Sequence, residues 1–309
     1  MRILVSGASG FIGSDLGHSL TSHGHDVLRL VRRAPTRSDE VEWHPEKGVI
    51  PGGIMDDVDA VINLSGASLA RLPWTPKWKR EIFTSRIRAT HTLTDAMRTA
   101  SKPPSIFLSG SAVGIYGDRP GEVLTESSVR GHGYLADVVD AWEKAARRAP
   151  DGVRVVTMRT GLVVGQGGVL SLVELQSRLG LAGPLGSGKQ HWPWITLPDE
   201  VGAIRHLLTA DVSGPVNLVA PVAASAERIM RAFTTALHRP YLVPAPKKLI
   251  ELALQDARDL LLADQEVVPQ KLVASGYRFQ HETAEQAIDW MLSGRRPQRD
   301  RPETRHARA

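Results

Sequence analysis

The segment Gly7-Ala8-Ser9-Gly10-Phe11-Ile12-Gly13 follows a short apolar run at residues 3–6 and leads into a stretch in which Ile12, Leu16 and Leu20 fall on one helical stripe. A strand that enters a helix through so short a turn needs glycine wherever the backbone bends sharply or another segment passes too close for a Cβ. Residues 27–31 then form a second apolar strand. The two strands can lie parallel only if the helix crosses over between them, so the first thirty residues predict a βαβ unit.

The same alternation continues. Residues 58–64 (VDAVINL) predict a third strand, 78–100 a long helix, 105–109 a fourth strand, 135–149 another helix and 153–158 (VRVVTM) a fifth strand. Repeated crossovers of this kind give an α/β protein with a doubly wound parallel sheet, the Rossmann fold, covered by helices on both faces. Beyond Gly165 the pattern loosens into glycine-rich loops, and after Gly214-Pro215 short helical patterns at 225–237 and 249–262 are joined by proline-containing links. The expected organisation is an α/β domain over residues 1–213 with loops on the substrate side, a small, mostly helical lobe over 214–293, and a basic, disordered tail over 294–309.

Composition narrows the function classes. The chain has 309 residues, 42% of them hydrophobic, enough for one full core and a smaller appended one. It has no cysteine, which excludes thiolate metal sites and thiol catalysis and fits a reducing compartment. No metal site is expected. The first residues are neither a signal peptide nor a membrane span, so a cytoplasmic location is expected. The net charge of +5 does not point to nucleic acid, because Gly294–Ala309 holds six arginines against Asp300 and Glu303, a net +4 that leaves the body near neutral. The expected partner is therefore a small molecule, with neither nucleic acid nor membrane; the oligomeric state is not legible.

The glycine turn supplies the first chemistry. A pyrophosphate placed there meets free N–H groups and the positive end of a helix dipole, so Gly7, Ser9, Gly10, Phe11, Ile12 and Gly13 are candidates for binding a nicotinamide dinucleotide. The end of the second strand, where NAD-selective proteins carry an acidic residue, reads Val31-Arg32-Arg33. Either arginine can pair with the extra phosphate of NADP(H), although two solvated surface arginines would read the same way. Leu64, Ser65 and Gly66 end the third strand with small residues suited to a cofactor wall. At the end of the fourth strand, Ser109 adds a cofactor-side hydroxyl and Ser111 is the leading catalytic candidate, or else the cap of a turn.

Together with Ser85-Arg86-Ile87, Ser109-Gly110-Ser111-Ala112, Tyr116-Gly117, Thr125-Glu126, Trp142-Glu143, Arg159-Thr160-Gly161 and Trp194-Ile195-Thr196, these residues resemble the extended short-chain dehydrogenase/reductases. The closer likeness is to the atypical branch labelled epimerase family proteins, whose C-terminal domain of unknown function Arg239-Pro240, Gln265–Leu272 and Ser275–Phe279 resemble. The resemblance implies a tyrosine and a lysine four residues later on the helix after the serine, the pair that moves the substrate proton. This chain lacks it. Tyr134 is followed by Val138, and alignment on Glu143 puts Leu135 and Val139 in the two places. Arg86 replaces the usual helix asparagine and is a candidate to stabilise an oxyanion or hold a cofactor phosphate. Tyr116, Glu126 and Tyr134 remain as proton-transfer candidates, and the loop 186–194 with Asp199 is expected to close over the substrate.

The function expected is that of an NADP(H)-dependent oxidoreductase or nucleotide-sugar-epimerase-like enzyme. The alternative is a catalytically inactive NADP(H)-binding regulatory or scaffold protein.

Overall fold

The computed structural model describes residues 1–168 and 170–294. Its centre is a seven-stranded, wholly parallel sheet built from β1 (Arg2–Ser6), β2 (Asp26–Val31), β3 (Glu40–Glu42), β4 (Ala60–Asn63), β5 (Ile106–Ala112), β7 (Arg154–Thr160) and β10 (Gly214–Leu218), in the order β10-β7-β5-β4-β1-β2-β3. The chain moves outward from β1 to β3, then restarts on the other side of β1. That reversal opens a crevice beyond the carboxyl ends of β1 and β4.

Alternate strand residues enter the two helical layers. Ile3, Val5, Ile62, Leu108 and Val156 pack with α1 (Phe11–Ser22) and α5 (Leu197–Thr209). Leu4, Val61 and Phe107 face α2 (Pro76–Thr99) and α3 (Tyr134–Ala146) through Leu93, Met97 and Ala146. The doubly wound reading is therefore what the protein adopts.

Two elements of the sheet escape the sequence. β3 is three residues long and lies at one edge. β10 begins Gly214-Pro215, a pair that reads as a break, yet it forms the opposite edge, and an edge strand tolerates proline because its outer side has no ladder to supply. The boundary expected at 213/214 thus cuts into the sheet. The second core is assembled from both sides of it: β8 (Leu162–Val164), α4 (Leu170–Arg178) and β9 (Trp194–Thr196) contribute Val164, Val173 and Trp194, which pack with Phe233 of α6 (Ala226–Ala236) and Ile288 of α10 (Ala284–Ser293). The predicted helix at 249–262 is broken into α7 (Lys247–Leu254), a 3-10 turn and α8 (Asp259–Leu262).

The C-terminal segment returns to the α/β domain. β6 (Val123–Leu124) pairs in parallel with β11 (Glu266–Val267), and α9 (Gln270–Ala274) places Leu272 in the core beneath the sheet. Of the expected tail, residues 295–309 lie outside the described residues. No described helix is long and apolar enough to cross a membrane.

Candidate functional site

The glycine turn sits at the crevice. Gly7 has φ +74°, and a Cβ there would lie 2.7 Å from the carbonyl carbon and oxygen of Leu64, so the ends of β1 and β4 touch through backbone alone. At Gly13 a Cβ would lie 2.2 Å from the Gly7 oxygen, which is how α1 packs directly against the turn. Gly10 is the N-cap of α1 and offers no side-chain acceptor, in contrast to Thr75 and Thr196, which cap α2 and α5. The first N–H groups of α1 are left without a side-chain partner at the crevice, with no acidic residue in the first turn, an arrangement suited to a diphosphate. Ser9 and Gly10 are exposed, Phe11 and Ile12 half-buried. The loop 165–168 roofs Phe11, its Gly165 and Gly168 lying too close to that ring to admit side chains.

The two arginines after β2 separate. Arg33 makes a forked ion pair with Glu40 at 2.7 and 2.9 Å, and that pairing holds the Glu40 carboxyl down at about 2. Arg32 is exposed and has no hydrogen bond or ion pair among the described residues.

Leu64, Ser65 and Gly66 are held by a buried polar chain that starts inside the sheet. Ser6 donates to Asn63 Oδ1 at 2.6 Å, Ser65 N donates to the same oxygen at 3.2 Å, Asn63 Nδ2 donates to Thr90 at 2.9 Å, and Thr90 donates to the Arg86 carbonyl at 2.8 Å. Asn63 thereby fixes the turn that forms the crevice wall, a role its place within an apolar strand did not suggest.

The end of β5 differs from expectation. Ser109 is fully buried, its hydroxyl donating to the Gly110 carbonyl at 3.3 Å. Ser111 is 4% exposed and donates to Glu143 Oε1 at 2.7 Å. Glu143 also receives Arg159 Nε at 2.8 Å and Nη2 at 3.0 Å, while Arg159 Nη1 donates to the Tyr116 hydroxyl at 2.9 Å, and Tyr116 donates to Asn217 Oδ1 at 2.6 Å. Tyr116 is wholly buried, and burial pushes its pKa up. The expectation that Ser111 and Tyr116 face a substrate is corrected: their hydroxyl hydrogens are committed inside the protein, where an unpaired buried Glu143 or Arg159 would be far more costly than a polar group left in a cleft. Their neighbours Glu143 and Asn217 hold this network; the Trp142-Glu143 pair was visible in the sequence, whereas nothing marked Asn217.

Other candidates also have structural partners. Glu126 Oε1 accepts from the backbone N of Asn217 and of Lys271, both at 3.1 Å. Tyr134 donates to the Lys79 carbonyl at 2.5 Å, and burial raises its pKa. Asp199 is fully buried and accepts from the hydroxyl of the cap residue Thr196 and from Gln280 N and His281 N. The loop 186–194 is tied into the second lobe, where Gln190 and Trp192 donate to the Leu261 carbonyl. On α3, Leu135 and Val139 pack against Gly114, so aliphatic carbon fills the places of the absent tyrosine and lysine.

Arg86 is different. It is 9% exposed, lies over the Trp142 ring with its guanidinium carbon 5.2 Å from the centroid, and packs beneath Gly66. Among the described residues only Nη1 of its side chain makes hydrogen bonds, to the carbonyls of Ile82 at 2.9 Å and Ala67 at 3.1 Å. Burial lowers its pKa to about 10.

Comparison with known proteins agrees with this frame. Residues 3–220 match the NAD dependent epimerase/dehydratase family, and residues 245–291 match a domain of unknown function, DUF1731. An epimerase family protein of Mycobacterium bovis, Mb2239, is 37% identical over 292 residues, covering 93% of this chain and 96% of that protein. YfhF of Bacillus subtilis is 31% identical over 303 residues, covering 96% and 99%. The crystal structure of human epimerase family protein SDR39U1 with NADPH superposes with a TM-score of 0.87 at 31% identity, covering 95% of this chain and 99% of that one.

Proposed function

We propose that this chain, which belongs to the NAD dependent epimerase/dehydratase family, binds NADP(H) in the crevice between β1 and β4 and uses it in oxidoreductase or epimerase-like chemistry on a small molecule. The observation that carries the reading is the uncapped start of α1 beside Gly7 and Gly10, together with an exposed, unpaired Arg32 where an NAD-selective protein places a carboxylate. NADPH in the human relative's structure supports the choice of cofactor. Gly7, Ser9, Gly10, Phe11, Ile12 and Gly13 would hold the diphosphate; Leu64, Ser65 and Gly66 would wall the adenosine side; Arg32 would meet the 2′-phosphate.

The bound nicotinamide would supply hydride transfer. The chain's own part is to orient the ligands, keep water out through the Trp142 and Phe11 packing, and offer the Arg86 cation beside the wall at Gly66. No tyrosine of the sequence has a lysine four residues after it to lower its pKa for the proton transfer. A cytoplasmic protein with a small-molecule ligand, and no nucleic-acid or membrane partner, fits this reading.

One observation favours a second reading. Ser111 and Tyr116 are locked in a buried network, as expected for an NADP(H)-binding regulatory protein without turnover. Calorimetry with NADPH and NADH tests the common part of both readings: tighter binding of NADPH is expected, and equal affinity for the two removes Arg32 from the site. A screen of carbonyl compounds and sugar nucleotides for NADPH oxidation then separates enzyme from regulator.

A further inference from the structure

The second lobe leaves one helix with an uncovered apolar face. α4 buries Leu170, Val173, Glu174 and Ser177, and the first two pack with Phe233 of α6 in the second core. Leu172, Leu175 and Leu179 follow the spacing i, i+3, i+7, and each is more than half exposed. At about 3.6 residues per turn the two sets lie on opposite sides of the helix, about 180° apart. Leu179 keeps the register, since its backbone N donates to the Leu175 carbonyl at 3.1 Å just past the end of α4. The leucine stripe thus points away from the core that α4 serves.

The face continues beyond the helix. Leu181 is exposed, the backbone N of Leu242 and of Val243 both donate to the Ala182 carbonyl, at 2.9 and 3.1 Å, and Pro240 lies 4.0 Å from where a Cβ of Gly180 would be, so Leu181, Leu242 and Val243 extend the same surface. Charge is nearly absent from it. Residues 170–188 include only Glu174 and Arg178, which pair at 2.8 Å, and residues 240–246 include no charged side chain. Five leucines and a valine, 46% to 75% exposed, present an apolar area on the order of 600 Å². That is at the top of what a soluble monomer leaves open, about 300–600 Å², and close to the roughly 800 Å² that each partner gives to a stable interface.

We propose that a second copy of this chain docks on the α4 face, across a two-fold axis. A helix that meets its own copy about such an axis crosses it antiparallel, with Leu175 near the axis and Leu172 of one copy over Leu179 of the other. The patch is its own complement: aliphatic carbon meets aliphatic carbon, and no like charges are buried together. A surface made for anionic lipid would carry unpaired cations among its apolar side chains, and Arg178 is paired. Residues 295–309, with six arginines and no large aliphatic side chain, have nothing to lay on it. The face shares no residue with the crevice at β1 and β4, so the inference stands apart from the cofactor reading.

The test uses the full chain in sedimentation velocity as its concentration is raised. The unaltered protein is expected to reach the mass of a dimer. Leu175→Glu and Leu179→Glu are each expected to weaken association at least about tenfold, because the contact would take in a carboxylate from both copies, while Phe83→Glu on α2 leaves it within about threefold. The chain has no cysteine, so Leu175→Cys carries a single thiol near the axis, and mild oxidation is expected to link two copies through it. Val129→Cys, at an exposed position outside the face, is expected not to link. This comparison decides the matter if the glutamate variants do not fold. A protein that stays monomeric at every concentration overturns the proposal, and so does a dimer that neither glutamate variant weakens. Co-sedimentation of the monomer with phosphatidylserine vesicles, lost in Leu175→Glu, also overturns it, because the face would then belong to a membrane.

Discussion

Ser111 donates its hydroxyl proton to Glu143 across 2.7 Å, and the same carboxylate takes both arms of Arg159. A serine at a strand carboxyl end thus serves the interior of the protein. Removing the carboxylate leaves Arg159 buried and unpaired, so Glu143→Ala should cost about 3–5 kcal/mol of stability. Ser111→Ala should cost only about 1–3 kcal/mol, because Glu143 keeps the guanidinium. Urea unfolding checks both; a Ser111→Ala protein of unchanged stability but no activity would return that serine to the substrate.

Arg32 and Arg33 should behave differently when each is replaced by alanine. Arg33 is occupied by Glu40, whereas Arg32 is free. Arg32→Ala should weaken NADPH by roughly 1–3 kcal/mol and leave NADH unchanged, the loss of one charge-assisted contact. Arg33→Ala should have a smaller effect on NADPH. Titration calorimetry with both cofactors gives the answer, and the reverse ranking would place the phosphate against Arg33.

The glycines of the turn are not equivalent. A Cβ at Gly10 meets only the Gly7 oxygen, at 3.2 Å, whereas a Cβ at Gly13 would collide with that oxygen at 2.2 Å. Gly10→Val should therefore fold with little change in melting temperature and lose at least about tenfold in NADPH affinity, because its branches enter the space offered to the diphosphate. Gly13→Ala should instead damage the fold, seen as a lowered melting temperature without any ligand. Equal melting temperatures for the two variants would contradict the packing of α1 on the turn.

Glu200 gives a pH signature. It is fully buried with one hydrogen bond, from Thr160 at 2.8 Å, and burial raises its pKa from an ordinary 4.5 to about 8. The folded state then holds a proton that the unfolded chain releases, so stability falls as pH rises from 4.5 through 8, by an amount on the order of a few kcal/mol. Glu200→Gln should flatten that decline. Melting curves between pH 5 and about 8.5 would show it, and parallel slopes for the two proteins would mean that Glu200 is ionised in the fold.

The legible parts of this protein were those whose pattern is local. The βαβ start, the buried stripe of α1 and the glycine turn follow from spacing, because a buried stripe and a forbidden Cβ leave marks within a few residues. Arg86 is a site candidate only through the family resemblance, as the residue in place of the usual helix asparagine. The side-chain network was not legible, since Ser111, Glu143, Arg159 and Asn217 come from four elements spread over a hundred residues, and pairing across a sheet leaves no periodic trace. β10 was missed because Gly214-Pro215 signals a break unless the strand is known to lie at an edge.

The short pairing of Val123–Leu124 with Glu266–Val267 bears on how such chains can diversify. Gln265 donates to the carbonyls of Val113 and Gly117, Val268 N to that of Leu124, and Asn217 to that of Val268, so the part of the seam beside this pairing uses main-chain acceptors, while the Glu126 and Asp199 carboxylates accept elsewhere along it. Main-chain acceptors are present whatever the side chains are. Substitutions at Val113, Gly117, Leu124 or Val268 leave those acceptors in place, but an insertion or deletion within 113–126 or 264–271 would shift these bonds together. In a chimaera between two relatives, a crossover placed inside either stretch should yield insoluble protein, while one placed before residue 245 should be tolerated if the donors at 217 and 265 are kept.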